Sequence, residues 1–523
     1  MVQSTNWPEP KVDYEVDAEQ YMELANEKEK QLAKEKDERI PVDKTGRFEV
    51  SYEVYYDDEQ KPWDVYLTKV DLKNGIYGDY VFYKMQLLYD TNRDLYVVFT
   101  RWGRIGETGM NQRTPFTKLE DAKEEYCKIF KQKTGGNSFE ELDRFSRVKK
   151  KYNLTRVNYI TVNMKDYLQP FDFEKSPKSR LPQSLYDLFQ EISNVTMYQR
   201  AITQYGIDTN VLPFSGVNKQ SLVEARQVLL DIQECIKEDI EISKEGIKAD
   251  FDKLTAVKEK ISELSSRYYE LIPLERYKNQ IAPPLNNQHQ IKTQYDLLET
   301  LTNIEYASKV LLGALLRQKE MNPVDYIYQA MNLMIDPLDV ESPEYEVIRT
   351  YIDNTRNVEQ RFHHMDQFEI ANIFKVQRKG EAEMINTFKE VPNHYLLYHG
   401  SMMFNFIGLL SQGLKIAPPE APTTGYMFGK GVYFADMFDK SFAYAARGYG
   451  QQESYLMLMC EVVLGKSKEL NQAENIEKLE HPYHSVKGCG QKGPGYKHTI
   501  TLPNGVKIPY GPVINYHEGN IEK

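Results

Sequence analysis

The chain has 523 residues, enough for roughly three domains of about 100–200 residues each and too many for one hydrophobic core. Its 41% hydrophobic, 27% charged and 12% aromatic content excludes collagenous, low-complexity and wholly disordered chains. The formal charge of −11, from 66 Lys+Arg against 77 Asp+Glu, argues against a uniformly basic nucleic-acid binder and leaves local patches open. Cys127, Cys235, Cys460 and Cys489 stand too far apart for a CxxC pair, a zinc finger or a disulfide-dense scaffold, so no metal site is expected and a reducing compartment is. The N-terminus lacks a signal-peptide apolar core, and no run approaches the ~18–20 apolar residues of a membrane span, so a nuclear or cytosolic protein without membrane contact is expected.

In chain order, residues 1–45 are rich in Glu and Lys and offer little to bury, as a charged flexible lead would. From 46 to 150 a compact β domain ending in a helix is expected. Its strands are Phe48–Tyr55, Tyr80–Tyr89 and Leu95–Thr100, the last two joined by the polar turn Asp90–Asp94, and its helix covers Leu119–Phe130. Residues 180–315 carry long stretches at helical period: Ser184–Thr196, Asn218–Glu238, Asp252–Leu271 and Gln290–Leu316. They read as a helical bundle. Residues 317–345 look like a connector, and 346–523 mix strands, helices and Gly- and Pro-rich loops in an α+β domain. The fold class is therefore multidomain α+β.

Gly488-Cys489-Gly490-Gln491-Lys492-Gly493 fits the GxGxxG spacing of a dinucleotide turn. It lacks the hydrophobic strand before and the helix after that such a turn needs, so a hydride-transfer fold is set aside. Tyr398-His399-Gly400-Ser401 follows Tyr395-Leu396-Leu397 as the end of a buried strand opening into a loop, where side chains and freed backbone groups can meet a ligand. The same spacing also fits a satisfied core histidine. In Gly425–Asp436 three glycines sit among aromatics, with Asp439-Lys440-Ser441-Phe442-Ala443-Tyr444 beyond; glycine admits close backbone approach and tyrosines can sandwich a flat ring. A tight hairpin with core aromatics fits equally well.

Together these stretches, with Leu414–Pro422 and His484–Gly488, resemble the catalytic domain of the poly(ADP-ribose) polymerases (PARPs). Thr100-Arg101-Trp102-Gly103-Arg104-Ile105-Gly106 resembles the WGR domain of that family, and 180–315, with Ser265–Pro273, its helical regulatory domain. The resemblance covers about nine-tenths of the chain and points to the short DNA-dependent members without zinc fingers. It implies a β-rich WGR domain with a helix, an all-α regulatory bundle and a mixed α+β ADP-ribosyltransferase domain.

The resemblance further implies that NAD is a consumed substrate and not a cofactor: nicotinamide leaves and ADP-ribose passes to protein acceptors, the chain itself included. By position, His399 would hydrogen-bond the adenine ribose, and Gly400 and Ser401 would grip the carboxamide. Tyr433 and Tyr444 would sandwich the nicotinamide ring, Lys440 would orient the reacting groups, and Lys415, Tyr426 and Ser441 would border the donor pocket. Lys415 replaces the arginine usual in the family, keeping the charge but losing the planar fork.

DNA with breaks or ends would be held by Trp102, Arg104 and the basic run Arg144, Arg147, Lys149, Lys150, Lys151 and Arg156, through stacking and phosphate neutralisation. A solvated linker is the alternative for that run. On the last regulatory helix Asp296, Glu299 and Glu305 would face the donor site, with Asn303 where an acidic residue is usual. The function implied is a nuclear, DNA-break-activated ADP-ribosyltransferase of DNA repair.

The family's catalytic glutamate lies in an Asn-Glu-Tyr-like strand well beyond the segment that here reads Ile508-Pro509-Tyr510-Gly511-Pro512, and this sequence stops eleven residues after Pro512. Glu518 in Asn515-Tyr516-His517-Glu518 is the candidate present, but Gly519-Asn520 follows it instead of a strand. The expectation is a C-terminally incomplete catalytic domain, and the alternative function is a DNA-end-binding scaffold whose transferase is inactive.

Overall fold

A computed structural model describes residues 12–13, 15–17, 19–20, 40–73, 78–155, 170–204, 206, 219–244, 246, 250–274, 277, 282–356, 369–416, 427–446, 454–474, 476 and 478–516. It divides into two compact units, each discontinuous in sequence: one of residues 15–170 and 195–316, the other of 1–14, 171–194 and 317–523.

In the first unit, strands β1 (Tyr52–Val54), β2 (Asp64–Asp71), β3 (Asp79–Asp90), β4 (Leu95–Arg104), β5 (Met110–Phe116) and β6 (Asn153–Leu154) form an antiparallel sheet of order β5-β4-β3-β2-β6, with β1 also on β3. The hairpin expected at Asp90–Asp94 forms, pairing Asp90 with Leu95, and Asp90 Oδ1 takes the Asn92 N–H at 3.0 Å inside the turn. Alternation puts Met85, Leu87 and Val98 on one face, where they meet Ala122, Tyr126 and Phe130 of helix α1 (Leu119–Thr134). The strand expected over Phe48–Tyr55 is shorter. Glu49 O accepts the Tyr52 N–H at 3.1 Å, so the chain turns there, leaving Val50 in solvent while Phe48 packs edge-on against Phe99.

Helix α2 (Gln183–Ile192) belongs to the second unit, whereas α3 (Val195–Gln204), α4 (Lys219–Lys244), α5 (Phe251–Leu271) and nearly all of α6 (Gln288–Arg317) belong to the first. The single helix expected over Ser184–Thr196 is thus two. Ser193 is buried and its N–H returns to Phe189 O at 3.1 Å while Asn194 closes on Glu191, ending α2 there. Helix α5 is capped by Asp250, whose carboxylate accepts from Asp252 and Lys253, and its buried face packs on the sheet.

In the second unit, 317–345 is no simple connector. It holds α7 (Pro323–Ala330), capped by Asn322 with Pro323 at its first turn and burying Tyr326, Ile327 and Tyr328, and strand β7 (Leu333–Pro337), which pairs with β8 (Phe374–Arg378). Then come α8 (Pro343–Thr355), α9 (Glu381–Asn386), β9 (His394–Gly400), α10 (Phe406–Gln412), α11 (Phe438–Ala445), β10 (Met457–Val463), β11 (Ser467–Leu470), β12 (Ser485–Gly488), β13 (Lys492–Pro494), β14 (Ile500–Thr501), β15 (Lys507–Ile508) and β16 (Val513–Asn515). The main sheet has the order β10-β9-β15-β14; β11 pairs with β12 and β13 with β16. Gly488–Gly493 runs from the end of β12 into β13, so no helix follows it, as the sequence reading held.

Strand β9 is held at both ends. At its middle, Tyr398 stacks on Tyr351 of α8 with centroids 4.5 Å apart, and its hydroxyl meets Thr355 Oγ1 at 3.1 Å. At its start, His394 Nδ1 lies 2.7 Å from a Glu461 carboxylate oxygen and Nε2 lies 2.9 Å from Val391 O and 3.3 Å from Phe388 O. All three partners only accept, so the ring donates from both nitrogens as imidazolium. The Glu461 hydrogen bond accordingly raises the His394 pKa above its ordinary 6.5. A histidine raised on folding stabilises fully below its unfolded pKa, and that contribution is lost as pH rises through the folded value. Thermal unfolding at about pH 6 and about pH 8.5 should therefore differ by a component that His394→Gln removes. An unchanged difference in the variant would show that the clamp contributes nothing.

Candidate active site

The candidate site is built where β9 ends. Tyr398 exchanges both backbone bonds with Ala435, at 2.8 and 2.9 Å. Successive strand residues send N–H and C=O to opposite edges, so His399 faces β10 and Gly400 faces the same side as Tyr398, toward the chain at Tyr433. A donor and an acceptor lie side by side there, the complement of a carboxamide.

The His399 ring is fixed by Nδ1, 2.9 Å from Tyr433 O. A carbonyl only accepts, so the proton sits on Nδ1 and the Nε2 lone pair is left to accept a hydroxyl. Burial lowers the His399 pKa below 6.5, against a smaller opposing effect of that carbonyl bond, which keeps the ring neutral at pH 7.

Gly400 has no room for a side chain: a Cβ there would lie 1.8 Å from Ser441 O and 2.6 Å from Ser441 C. That closeness lets α11 press on the end of β9. The Ser441 hydroxyl is buried and donates to Tyr398 O at 3.0 Å, so it ties α11 to β9. Helical spacing then divides α11, with Ser441, Phe442 and Ala445 inward and Lys440 and Tyr444 outward, one turn apart.

Tyr433 is 38% exposed and Tyr444 43%. Burial raises the Tyr433 phenol's pKa, with a smaller push from nearby Tyr444, so the two rings belong to one neighbourhood. The Tyr433 hydroxyl donates to Gly429 O at 2.6 Å and accepts from the Phe428 N–H at 3.1 Å, closing the loop on itself. Gly429 has φ +84° and its Cβ would lie 2.1 Å from Ile476 O, so this turn requires glycine.

The structure thus gathers His399, Gly400, Ser401, Tyr433, Lys440, Ser441 and Tyr444 around the end of β9 and α11. Lys415 is exposed just beyond α10, with Nζ 2.5 Å from Gln412 Oε1. Tyr426 and Glu518 lie outside the described residues. Asn405, four residues past Ser401 and 3.0 Å from its hydroxyl, is a polar partner that the sequence reading did not single out.

The proposed DNA contacts lie in the first unit. Trp102 is half-buried and stacks on Tyr83 at 6.0 Å and 17°. Arg104 Nε is 3.4 Å from Tyr277 O. Arg147 makes a two-pronged bond to Glu270 of α5, 3.0 Å from Nε and 3.3 Å from Nη2, and Lys149 pairs with Glu263 at 2.9 Å. Arg147 and Lys149 therefore turn toward the helices, while Arg144, Lys150 and Lys151 remain exposed. Arg156 lies outside the described residues. Asp296, Glu299 and Asn303 follow one another at three- and four-residue steps along α6, on one face, and Glu305 pairs with Lys309 at 3.0 Å. All four belong to the first unit. Among the described residues no group of acidic, His and Cys side chains could hold a metal ion, and no helix is long and apolar enough to cross a membrane.

Comparison with known proteins gives three domain matches: the poly(ADP-ribose) polymerase catalytic domain over residues 342–522, its regulatory domain over 179–328 and the WGR domain over 63–146. The chain is 34% identical over 452 residues to Poly [ADP-ribose] polymerase 1 of Danio rerio, covering 86% of this chain and 42% of that one. It is 34% identical over 464 residues to Poly [ADP-ribose] polymerase of Sarcophaga peregrina, covering 88% of this chain and 44% of the relative. The chain thus spans less than half the length of these two relatives. Against Poly [ADP-ribose] polymerase 2 of Homo sapiens it is 32% identical over 458 residues, covering 86% of this chain and 73% of the human protein. The chain belongs to the poly(ADP-ribose) polymerase family.

Proposed function

We propose that this protein transfers ADP-ribose from NAD to protein acceptors, itself included, and that DNA breaks stimulate the transfer in the nucleus as part of DNA repair. One observation carries the reading. At the end of β9, a neutral imidazole with a free acceptor nitrogen adjoins a backbone donor–acceptor pair at Gly400, beside two half-exposed tyrosines. That set suits a ribose hydroxyl, a carboxamide and a flat ring held at once.

The reaction breaks the bond between ribose C1′ and the nicotinamide nitrogen, whose electron pair leaves with nicotinamide. The acceptor oxygen then bonds to C1′ and its proton is released. The residues described here bind and orient; by holding the carboxamide and both rings they align the breaking bond for the departing pair. The WGR match and the exposed Arg144, Lys150 and Lys151 support a phosphate-binding surface on the first unit.

Two pairs of variants test the two halves separately. His399→Ala should lower nicotinamide release and leave DNA affinity unchanged. The charge-reversed pair Arg144→Glu and Lys150→Glu should weaken DNA binding, flatten its salt dependence by about one unit of log–log slope per lost phosphate contact, and spare DNA-independent turnover. These exposed residues serve better than Trp102, whose removal would also unpack Tyr83. Equal loss of both properties in either pair would count against separate sites.

A further inference from the structure

We propose that Asn405 is a positioning residue for NAD, which orients the Ser401 hydroxyl as a hydrogen-bond donor to the carboxamide oxygen and thereby sets the preference for a carboxamide over a carboxylate. The inference rests on the reading of the β9 end as the nicotinamide site.

A serine hydroxyl has one proton to give and two lone pairs, and unaided it rotates freely among them. Ser401 is half-buried just past β9, and Asn405 Nδ2 donates to its Oγ at 3.0 Å. An amide N–H₂ cannot accept, so the bond occupies one lone pair of Oγ and turns the hydroxyl proton away from Asn405. That proton is then available to the ligand. With Gly400 supplying an N–H and a C=O on the neighbouring edge, the site has the donors for a carboxamide oxygen and an acceptor for its N–H₂. A carboxylate has no proton for that carbonyl and would set an oxygen against it.

Asn405 is itself held in place. It is 9% exposed, lies between buried Phe404 and Phe406, and its N–H closes on Met402 O at 3.0 Å where the chain enters α10. Buried Ile407 and Leu410 anchor that helix, so the amide has little freedom to swing off Ser401.

Nicotinamide itself is the probe, with affinity measured calorimetrically on the full chain, so the readout does not depend on turnover. Asn405→Asp keeps the shape but places an acceptor before Ser401, which captures the hydroxyl proton. It should weaken nicotinamide binding about tenfold, whereas Asn405→Ala, which merely frees the rotor, should cost about two- to threefold. A side chain that only fills space would give the reverse order, since aspartate is the closer fit. In a Ser401→Ala background Asn405→Asp should change affinity less than about twofold, because no hydroxyl remains to misdirect. Melting curves report whether each variant is folded, and Ser401→Ala with its small volume change serves as the reference.

Two results overturn the proposal, and they are distinguishable. If Ser401→Ala binds nicotinamide as the parent does, the site reading itself fails and this inference with it. If Ser401→Ala weakens binding but Asn405→Asp matches the parent, or costs as much with the serine absent as present, the site reading stands and the role of Asn405 fails.

Discussion

Replacing Gly400 with alanine is expected to abolish turnover of NAD. The new methyl would lie 1.8 Å from Ser441 O, which is main chain and cannot swing aside as a side chain end could. Either α11 moves off β9 or β9 itself shifts. Moving α11 breaks the Ser441–Tyr398 bond and carries Lys440 and Tyr444 away; shifting β9 displaces His399 from Tyr433. A displacement of ~1 Å at reacting groups can cost on the order of 10²-fold in rate, and overpacking a close contact costs about 1–3 kcal/mol in stability. Nicotinamide release from Gly400→Ala should thus fall by about two orders of magnitude or more, with a lowered melting temperature. Parent-like release from this variant would mean that the β9–α11 contact does not shape the site.

The second large effect falls in the other unit. Glu270 is 3% exposed, and its carboxylate is held by Arg147 from two nitrogens, by Asn153 Nδ2 at 3.1 Å and by Arg267 at 3.4 Å. Removing one partner of a fully buried ion pair costs about 3–5 kcal/mol, because the other charge is left without compensation. Arg147 is 35% exposed, so water reaches the gap and the loss in Arg147→Ala should be nearer 1–3 kcal/mol in denaturant unfolding. Adding Glu270→Gln should recover part of it, since a neutral amide tolerates burial better. An Arg147→Ala protein as stable as its parent would contradict the account of this pair. The same result bears on DNA assays: weaker stimulation in Arg147→Ala would report a loosened α5 contact as readily as a lost phosphate.

Much of the fold was legible because its signals are local. The polar turn between two alternating runs marked the β3–β4 hairpin, and the 3.6-residue period marked α4, α5 and α6 to within a few residues. What escaped depends on contacts distant in sequence. The break at Ser193 leaves apolar period on both sides, so only the buried backbone closure to Phe189 reveals two helices. The region 317–345 reads as a connector by length, yet Asn322, followed by proline, is a helix-starting signal that went unused. The basic run after residue 143 looked uniform, but Glu263 and Glu270 lie over a hundred residues away and claim Lys149 and Arg147 alone.

At the site, the strand end carrying His399, Gly400 and Ser401 could be seen as apolar residues running into a histidine and a glycine. That Ser441 would turn inward, and that Asn405 would meet Ser401, needed the packing of α11 and α10 on β9. Within α11 the inward and outward faces do follow from spacing once the buried side is known.

The central claim is best tested by measuring nicotinamide released from NAD by the folded protein, with and without nicked, 5′-phosphorylated DNA. The account predicts release that DNA breaks increase and that His399→Ala removes; a folded protein that releases none, with or without broken DNA, would contradict it.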